Sequence, residues 1–269
     1  MSFLQAIVLG IVQGLTEFVP VSSTGHLVIT PWLLGWPQPG LAFDTILHLG
    51  TLVAVLFFFH ADLRTLLEAW SSSLRSRTFT DPRARVAWLI VLATVPAACV
   101  GAAFGSFFEG AFSSPRLVGI FLIGTAIILV SAERLTANSE RLGSLGWAGA
   151  LAVGLAQAVA ILPGVSRSGA TIAAGLAVGL KRTEAARFSF LLSIPIIMAA
   201  GGSQLMALAR QPQGEAEAFL LAAGFLSAAV SGYLAIGFLM RYLRERSLYV
   251  FAGYAAVAGA GTIILSLIR

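Results

Sequence analysis

Apolar residues run through this chain in unbroken blocks. Six blocks, near 41–59, 86–108, 116–133, 188–209, 217–240 and 248–268, each approach the ~20 residues that a helix needs to cross a bilayer. They lack the period-two alternation of barrel strands, so spanning helices are expected. Two further apolar regions, 3–35 and 146–180, are interrupted by polar residues with proline and glycine. The interruptions read PVSSTGH (20–26) and LPGVSRSGAT (162–171). Between 63 and 74, Leu63, Leu66, Leu67, Trp70 and Leu74 recur at helical spacing among Arg64, Glu68 and serines. That pattern predicts a helix lying on the cytoplasmic membrane surface.

Most basic residues fall in four groups: Arg64 to Arg85, Arg134 to Arg141, Lys181 to Arg187, and Arg241 to Arg246. Placing these in the cytoplasm orients the six spans in alternation. Segment 146–180 then has cytoplasmic charge at both ends, so it must enter and leave on one side as a re-entrant pair. Segment 3–35 precedes a span that starts outside; as a re-entrant pair it opens outward. The two segments also align at an offset of 144 residues, matching Gly10, Gln13, Val21, Ser22 and Gly25 with Gly154, Gln157, Val165, Ser166 and Gly169. The expected fold is an all-α polytopic membrane protein, one integral domain over residues 1–269. Its halves, 1–140 and 141–269, each hold a re-entrant pair and three spans, in opposite orientation, as an inverted repeat.

Composition agrees. Of 269 residues, 58% are hydrophobic and only 11% charged, against about 25% charged in soluble domains. The net charge of +5 is explained by the loop arginines, so nucleic acid is not an expected partner. Cys99 is the only cysteine; it rules out an internal disulfide and reads as a packing residue. The N-terminal MSFLQAIVLGIVQG lacks a basic leader region and reads as retained structure.

The interruptions carry the candidate chemistry. Gln13 and Glu17 lie four apart and share a helix face. Pro20 ends that half-helix. Ser22, Ser23, Thr24 and Gly25 follow and can cap a second half-helix, whose N-terminal N–H groups form a ready anion site. The second break repeats the device with Pro163, Gly164, Ser166, Ser168, Gly169 and Thr171, and adds Arg167, a fork suited to phosphate oxygens.

A charge inside the bilayer costs about 2.5–3.5 kcal/mol on insertion scales. Glu17 and Arg167 can offset each other as an ion pair. A substrate with several anionic oxygens, such as a phosphorylated lipid, explains Arg167 and two helix N-termini better. Glu17 beside an anion then calls for a divalent cation with oxygen ligands, to which Gln13 adds a neutral carbonyl. Ser23 and His26 are both candidate nucleophiles, with Glu17 or His26 as base; alternatively Ser23 only caps and His26 only bonds backbone. In AFDTILHLGTL (42–52), Asp44 reads as solvated at the outer end. His48 is deep enough to face the site, with Thr51 on the same span. Glu68, Glu133, Glu184, Glu215, Glu217 and Glu245 read as surface.

The motif pair resembles a known family. QGLTEFVPVSSTGHL (13–27) is similar to the (E/Q)xxxE plus PVSSTGH signature of the bacterial undecaprenyl-diphosphate phosphatases, the bacitracin-resistance family. LPGVSRSGATI (162–172) resembles that family's PGxSRSxxT motif, with softer echoes in FDTILHLGTLVAV (43–55) and RFSFLLSIPII (187–197). The resemblance implies a multi-pass inner-membrane phosphatase that converts undecaprenyl diphosphate to undecaprenyl phosphate, recycles the cell-wall lipid carrier and confers bacitracin resistance. It implies a divalent cation (Mg²⁺ or Ca²⁺), a periplasm-facing site and a homodimer. Glu17 and Gln13 match the catalytic and metal-binding pair, and Ser23 and His26 the nucleophile or its partner. Arg167 matches the phosphate-binding arginine. Ser166, Ser168, Gly169 and Thr171 match its loop, and Ser22, Thr24 and Gly25 flank the nucleophile. Glutamine at position 13 weakens any scheme with two metal-binding carboxylates. A polyprenyl-phosphate transporter or flippase is the alternative class, since broken helices at the midplane also serve alternating access. A non-catalytic lipid-binding subunit is the third.

Overall fold

The computed structural model describes residues 1–78, 80–109, 114–135, 141–209 and 215–268. Its elements, in order, are α1 (Phe3–Phe18), α2 (Ser23–Leu34), α3 (Leu41–Phe58), α4 (His60–Ser76), α5 (Pro82–Glu109), α6 (Pro115–Leu135), α7 (Trp147–Val159), α8 (Arg167–Ala177), α9 (Arg182–Ala209), α10 (Glu215–Tyr242) and α11 (Tyr249–Ile268). Among the described residues, six helices are long and apolar enough to cross a membrane: α3, α5, α6, α9, α10 and α11. The protein is therefore an all-α, multi-pass membrane protein. The two interrupted regions are each split into two short helices, α1 with α2 and α7 with α8.

Helices α5 and α9 start earlier than their apolar blocks, at Pro82 and Arg182, because the first turns carry the charged rim. The arginine groups gather at one end of the bundle. Arg187 at the start of α9 pairs with Asp62 at the start of α4 at 2.7 Å. Arg182 donates to Glu133 at the end of α6, and Glu133 also accepts the Leu248 backbone N–H at 2.8 Å, just ahead of α11. Glu133 is thus not a surface residue, as its place at a span end predicts. Its side chain is 2% exposed and ties three helix ends together. Glu184 likewise accepts the Leu142 N–H. Glu215 and Glu217 open α10, and the Glu215 side chain lies outside the described residues.

Helix α4 forms where periodicity predicts it, but it does more than coat a surface. Leu63 and Leu66 pack on the core, while Leu67 stays exposed. Ser73 is buried and accepts the Trp88 indole N–H at 3.1 Å, so α4 is pinned to α5. Cys99 is exposed on α5 rather than packed inside.

Close helix contacts run through glycines, as small residues allow in membranes. A Cβ on Gly10 of α1 would sit 2.5 Å from the Gly224 carbonyl of α10. The residue 144 positions on, Gly154 of α7, meets the Ala93 carbonyl of α5 at the same 2.5 Å. Helices α6 and α11 contact each other reciprocally: a Cβ on Gly119 would meet Gly259 O and Ile263, and one on Gly259 would meet Gly119 O and Ile123. Helix α9 threads the interior, with 61% of its span buried against 22% for α5. Phe188, Phe190, Leu191 and Leu192 place it at the centre of the main apolar cluster.

The α6–α11 contact gives a direct test. Gly119→Val overpacks a backbone-to-backbone crossing and is expected to destabilise the protein by about 1–3 kcal/mol. Gly124→Ala, whose Cβ meets nothing within 4 Å, should leave the unfolding temperature in detergent within about a degree or two.

Candidate active site

The first break follows from its sequence. Val19 precedes proline, which disfavours helical backbone, and it adopts an extended conformation (φ −65°, ψ 135°). A tight turn closes at once, with Val21 N–H donating to Val19 O at 2.7 Å. Ser22 then takes φ 69°, a left-handed value that non-glycine residues rarely adopt. Its Oγ accepts the Gly25 N–H at 3.3 Å and caps α2. Thr24 Oγ1 lies 3.4 Å from that oxygen.

The second break repeats the cap at the matched position. Ser166 Oγ accepts the Gly169 N–H at 3.0 Å and starts α8. Gly164 has φ 97°, and a Cβ there would lie 2.6 Å from the Val118 carbonyl, so glycine is required twice over. Gly25 also packs on Val118 and approaches Gly164, which brings the two breaks side by side. Ser168 Oγ donates to Val19 O at 3.3 Å, from one break to the other.

The first residues of α2 and α8 converge on Glu17. Ser23 Oγ donates a short hydrogen bond to Glu17 Oε2. Arg167 Nη2 donates to Glu17 Oε1 at 2.5 Å. Gln13 Nε2 donates to Oε2 at 3.1 Å, and His48 Nε2 stands 3.8 Å from the same oxygen. The Glu17 side chain is 5% exposed and Arg167 20%, so the in-membrane charges do pair directly. Ser23 is the first residue of α2 and Arg167 the first of α8, so the start of each helix presents a side chain to this carboxylate.

The site sits about halfway through the bundle. His48 lies ten residues before the end of α3, and Ser193, whose carbonyl faces Arg167, eleven after the start of α9. At 1.5 Å per residue both are about 15 Å from the arginine-rich end, half of a hydrocarbon core ~30 Å thick.

Other predicted residues have different surroundings. Thr171 donates to the Arg167 carbonyl at 2.8 Å and meets Ser189 Oγ of α9 at 2.6 Å, which fastens α8 rather than lining open space. Ser166 and Ser168 hydroxyls lie 3.2 Å apart. His26 has both ring nitrogens engaged: Nδ1 is 2.7 Å from Ser22 O and Nε2 2.7 Å from the Tyr254 hydroxyl. Asp44 is not simply solvated, because its Oδ1 is buried and, among the described residues, unbonded. Thr51 is buried, with its hydroxyl donated to His48 O. Gln157, at the position matching Gln13, is buried with neither amide atom bonded among the described residues.

Sequence reading missed Thr125, Ser189 and Tyr254. Thr125 of α6 receives the Ser166 N–H at 3.0 Å and donates to Gly164 O at 3.1 Å, so one hydroxyl staples the whole second break. A lone hydroxyl in an apolar span was the available signal, and such residues usually only back-bond their own helix. Thr125→Val keeps the shape but leaves a buried N–H unpaired. We expect about 1–3 kcal/mol less stability and a comparable loss of turnover, read by thermal unfolding and activity in one preparation.

The family model described as bacitracin resistance protein BacA matches residues 6–261. The chain is 49% identical over 257 residues to an undecaprenyl-diphosphatase of Rubrobacter xylanophilus, covering 94% of each chain. It is 45% identical over 269 residues to that of Pelotomaculum thermopropionicum, covering 100% of this chain and 98% of the relative. With the undecaprenyl-diphosphatase of Methanosphaera stadtmanae it shares 43% identity over 278 residues, covering 100% and 99%.

Proposed function

The chain belongs to the bacitracin resistance protein BacA family, and from that premise we propose that Glu17, Ser23 and Arg167 carry out its hydrolytic chemistry. The activity is that of an undecaprenyl-diphosphatase, a membrane hydrolase that releases inorganic phosphate and returns undecaprenyl phosphate to use as a lipid carrier. Full-length relatives carry the name of a hydrolase, and the flippase reading is set aside.

One observation supports the assignment above the others. The Ser23 hydroxyl donates to one Glu17 oxygen while Arg167 holds the other. A nucleophile, its base and a phosphate-binding fork therefore share one carboxylate. Ser23 Oγ attacks the terminal phosphorus and its proton passes to Glu17 Oε2. The new O–P bond forms as the bond to the bridging oxygen breaks, and undecaprenyl phosphate leaves. Water then attacks the phosphoserine as Glu17 returns its proton to the departing Ser23 oxygen, and inorganic phosphate leaves with both of the water's protons. Arg167 and the N–H groups opening α2 and α8 stabilise the charge on the phosphoryl oxygens. His48 Nε2 stands next to Glu17 to exchange that proton onward. His26 is a poor competitor for nucleophile or base, since both of its nitrogens are occupied.

The oxygen donors fit a divalent cation, Mg²⁺ or Ca²⁺. Gln13 Oε1 is a buried oxygen without a partner among the described residues, on the helix face that carries Glu17. Among the described residues no three His, Cys, Asp or Glu gather to hold a metal alone, so substrate phosphates would complete the ligand set. When bound, the cation neutralises phosphate charge. The proposal also includes an inverted repeat of halves 1–140 and 141–269, supported by the Gly10/Gly154 and Gly119/Gly259 contacts and the paired serine caps. A site opening to the periplasmic side of the inner membrane and a homodimer are both carried by the family resemblance.

Phosphate release from undecaprenyl diphosphate by purified protein tests the reading. Wild type should release phosphate with Mg²⁺ or Ca²⁺ and stop with chelator. Ser23→Ala is expected to lose about 10³-fold or more in kcat, and Glu17→Gln about 10²–10⁴-fold. Arg167→Ala should fall by a similar factor. Near-normal turnover by Ser23→Ala would remove the serine from the mechanism.

A further inference from the structure

Tyr254 lies on α11, 228 residues from His26, and its hydroxyl is 2.7 Å from His26 Nε2. The two rings lie nearly parallel, with 14° between planes and centroids 5.6 Å apart. On its other edge His26 meets Ser22 O at 2.7 Å. A backbone carbonyl has no proton to give, so Nδ1 carries the hydrogen. In the neutral ring Nε2 is then the acceptor, and Tyr254 donates to it.

The carbonyl that His26 holds belongs to Ser22, whose φ of 69° is one of two positive values at non-glycine residues among those described. Such a conformation costs about 1–3 kcal/mol and persists only where its surroundings enforce it. The same carbonyl also accepts the His26 backbone N–H at 3.2 Å. Ser22 is followed directly by Ser23, so the Ser22 conformation sets where the Ser23 hydroxyl points. Tyr254 itself is on a rigid support. Five residues further along α11, Gly259 is in backbone contact with Gly119 of α6, and α6 carries Val118 and Thr125, which hold both breaks.

We infer that Tyr254 is a positioning residue for the hydrolysis: through His26 it locks the strained Ser22 turn and so keeps the Ser23 hydroxyl on Glu17. This rests on the proposed reading of Ser23 as the attacking group. Helix α11, which contributes nothing else to the site described above, thereby becomes part of the catalytic framework. His26 becomes a strut between that helix and the turn, rather than a proton carrier.

The test uses the full-length protein in detergent with undecaprenyl diphosphate and Mg²⁺. Tyr254 is half exposed, so Tyr254→Phe leaves no buried hole and should fold. Its kcat is expected to fall about three- to tenfold, the effect of one neutral hydrogen bond, with KM unchanged. Asparagine places an amide N–H near the Nδ1 position, so His26→Asn should keep activity within about tenfold of wild type, whereas removal of a proton-transfer group would cost about 10²–10⁴-fold. The double variant Tyr254→Phe/His26→Asn should match His26→Asn alone, because Tyr254 acts only through that ring. Nitrogen NMR of histidine-labelled protein should show His26 in the Nδ1–H form in wild type and a shifted Nε2 signal in Tyr254→Phe. Wild-type turnover in Tyr254→Phe, an additional loss in the double variant, or a His26→Asn protein as inactive as Ser23→Ala would overturn the inference. An active Ser23→Ala protein would instead sink the nucleophile assignment, and the two failures are told apart by that single variant.

Discussion

A carboxylate and a guanidinium in contact near the middle of a membrane are the constraint on which this structure depends. Neither Glu17 nor Arg167 can remain charged alone in hydrocarbon at tolerable cost, and each is fixed by the backbone that delivers it. Glu17 is on the last turn of α1, Arg167 on the first residue of α8, and they meet at 2.5 Å. Everything nearby serves that meeting. Pro20 and Pro163–Gly164 stop two helices short, two serines cap the next pair, and glycines let the breaks touch. A buried pair of this kind is not a strong source of stability, because desolvation consumes most of the attraction. What the pair fixes is geometry: arginine holds one carboxylate oxygen and a serine hydroxyl the other.

The same pair explains how much could be read from the chain. Spans were legible because hydrocarbon admits few alternatives to a helix of about 20 apolar residues. The breaks were legible because proline, glycine and capping serines act locally. Glu17, Ser23 and Arg167 were legible because charged and polar groups have no other reason to be in apolar blocks. The motifs then narrowed an anionic lipid to one headgroup chemistry, which spacing alone did not do.

What stayed hidden depends on contacts remote in sequence. Glu133 lies at a span end and looks like a solvated residue, yet Arg182 and the Leu248 N–H bury it. Nothing local in the chain announces a partner 115 residues away. Thr125 and Tyr254 were hidden for the same reason: each works across helices, on atoms that belong to a different part of the sequence. Position 26 shows the converse. A histidine beside a candidate nucleophile invites a catalytic role, and only its two nitrogen partners show that the ring is already committed.

The distance between Glu17 and Arg167 along the chain also has a consequence for biogenesis. They are separated by 150 residues. At a ribosomal rate of about 5–20 residues per second, roughly 8–30 s pass between synthesis of the glutamate and synthesis of the arginine. Through that interval the first half of the protein enters the membrane with an acid that has no guanidinium to meet. It must wait protonated or beside water, and the Ser23 hydroxyl bonded to it waits with it. The contact of Glu17 with both Ser23 and Arg167 is therefore complete only once the second half has been inserted and docked, so the last structural step at this centre is the joining of the two halves.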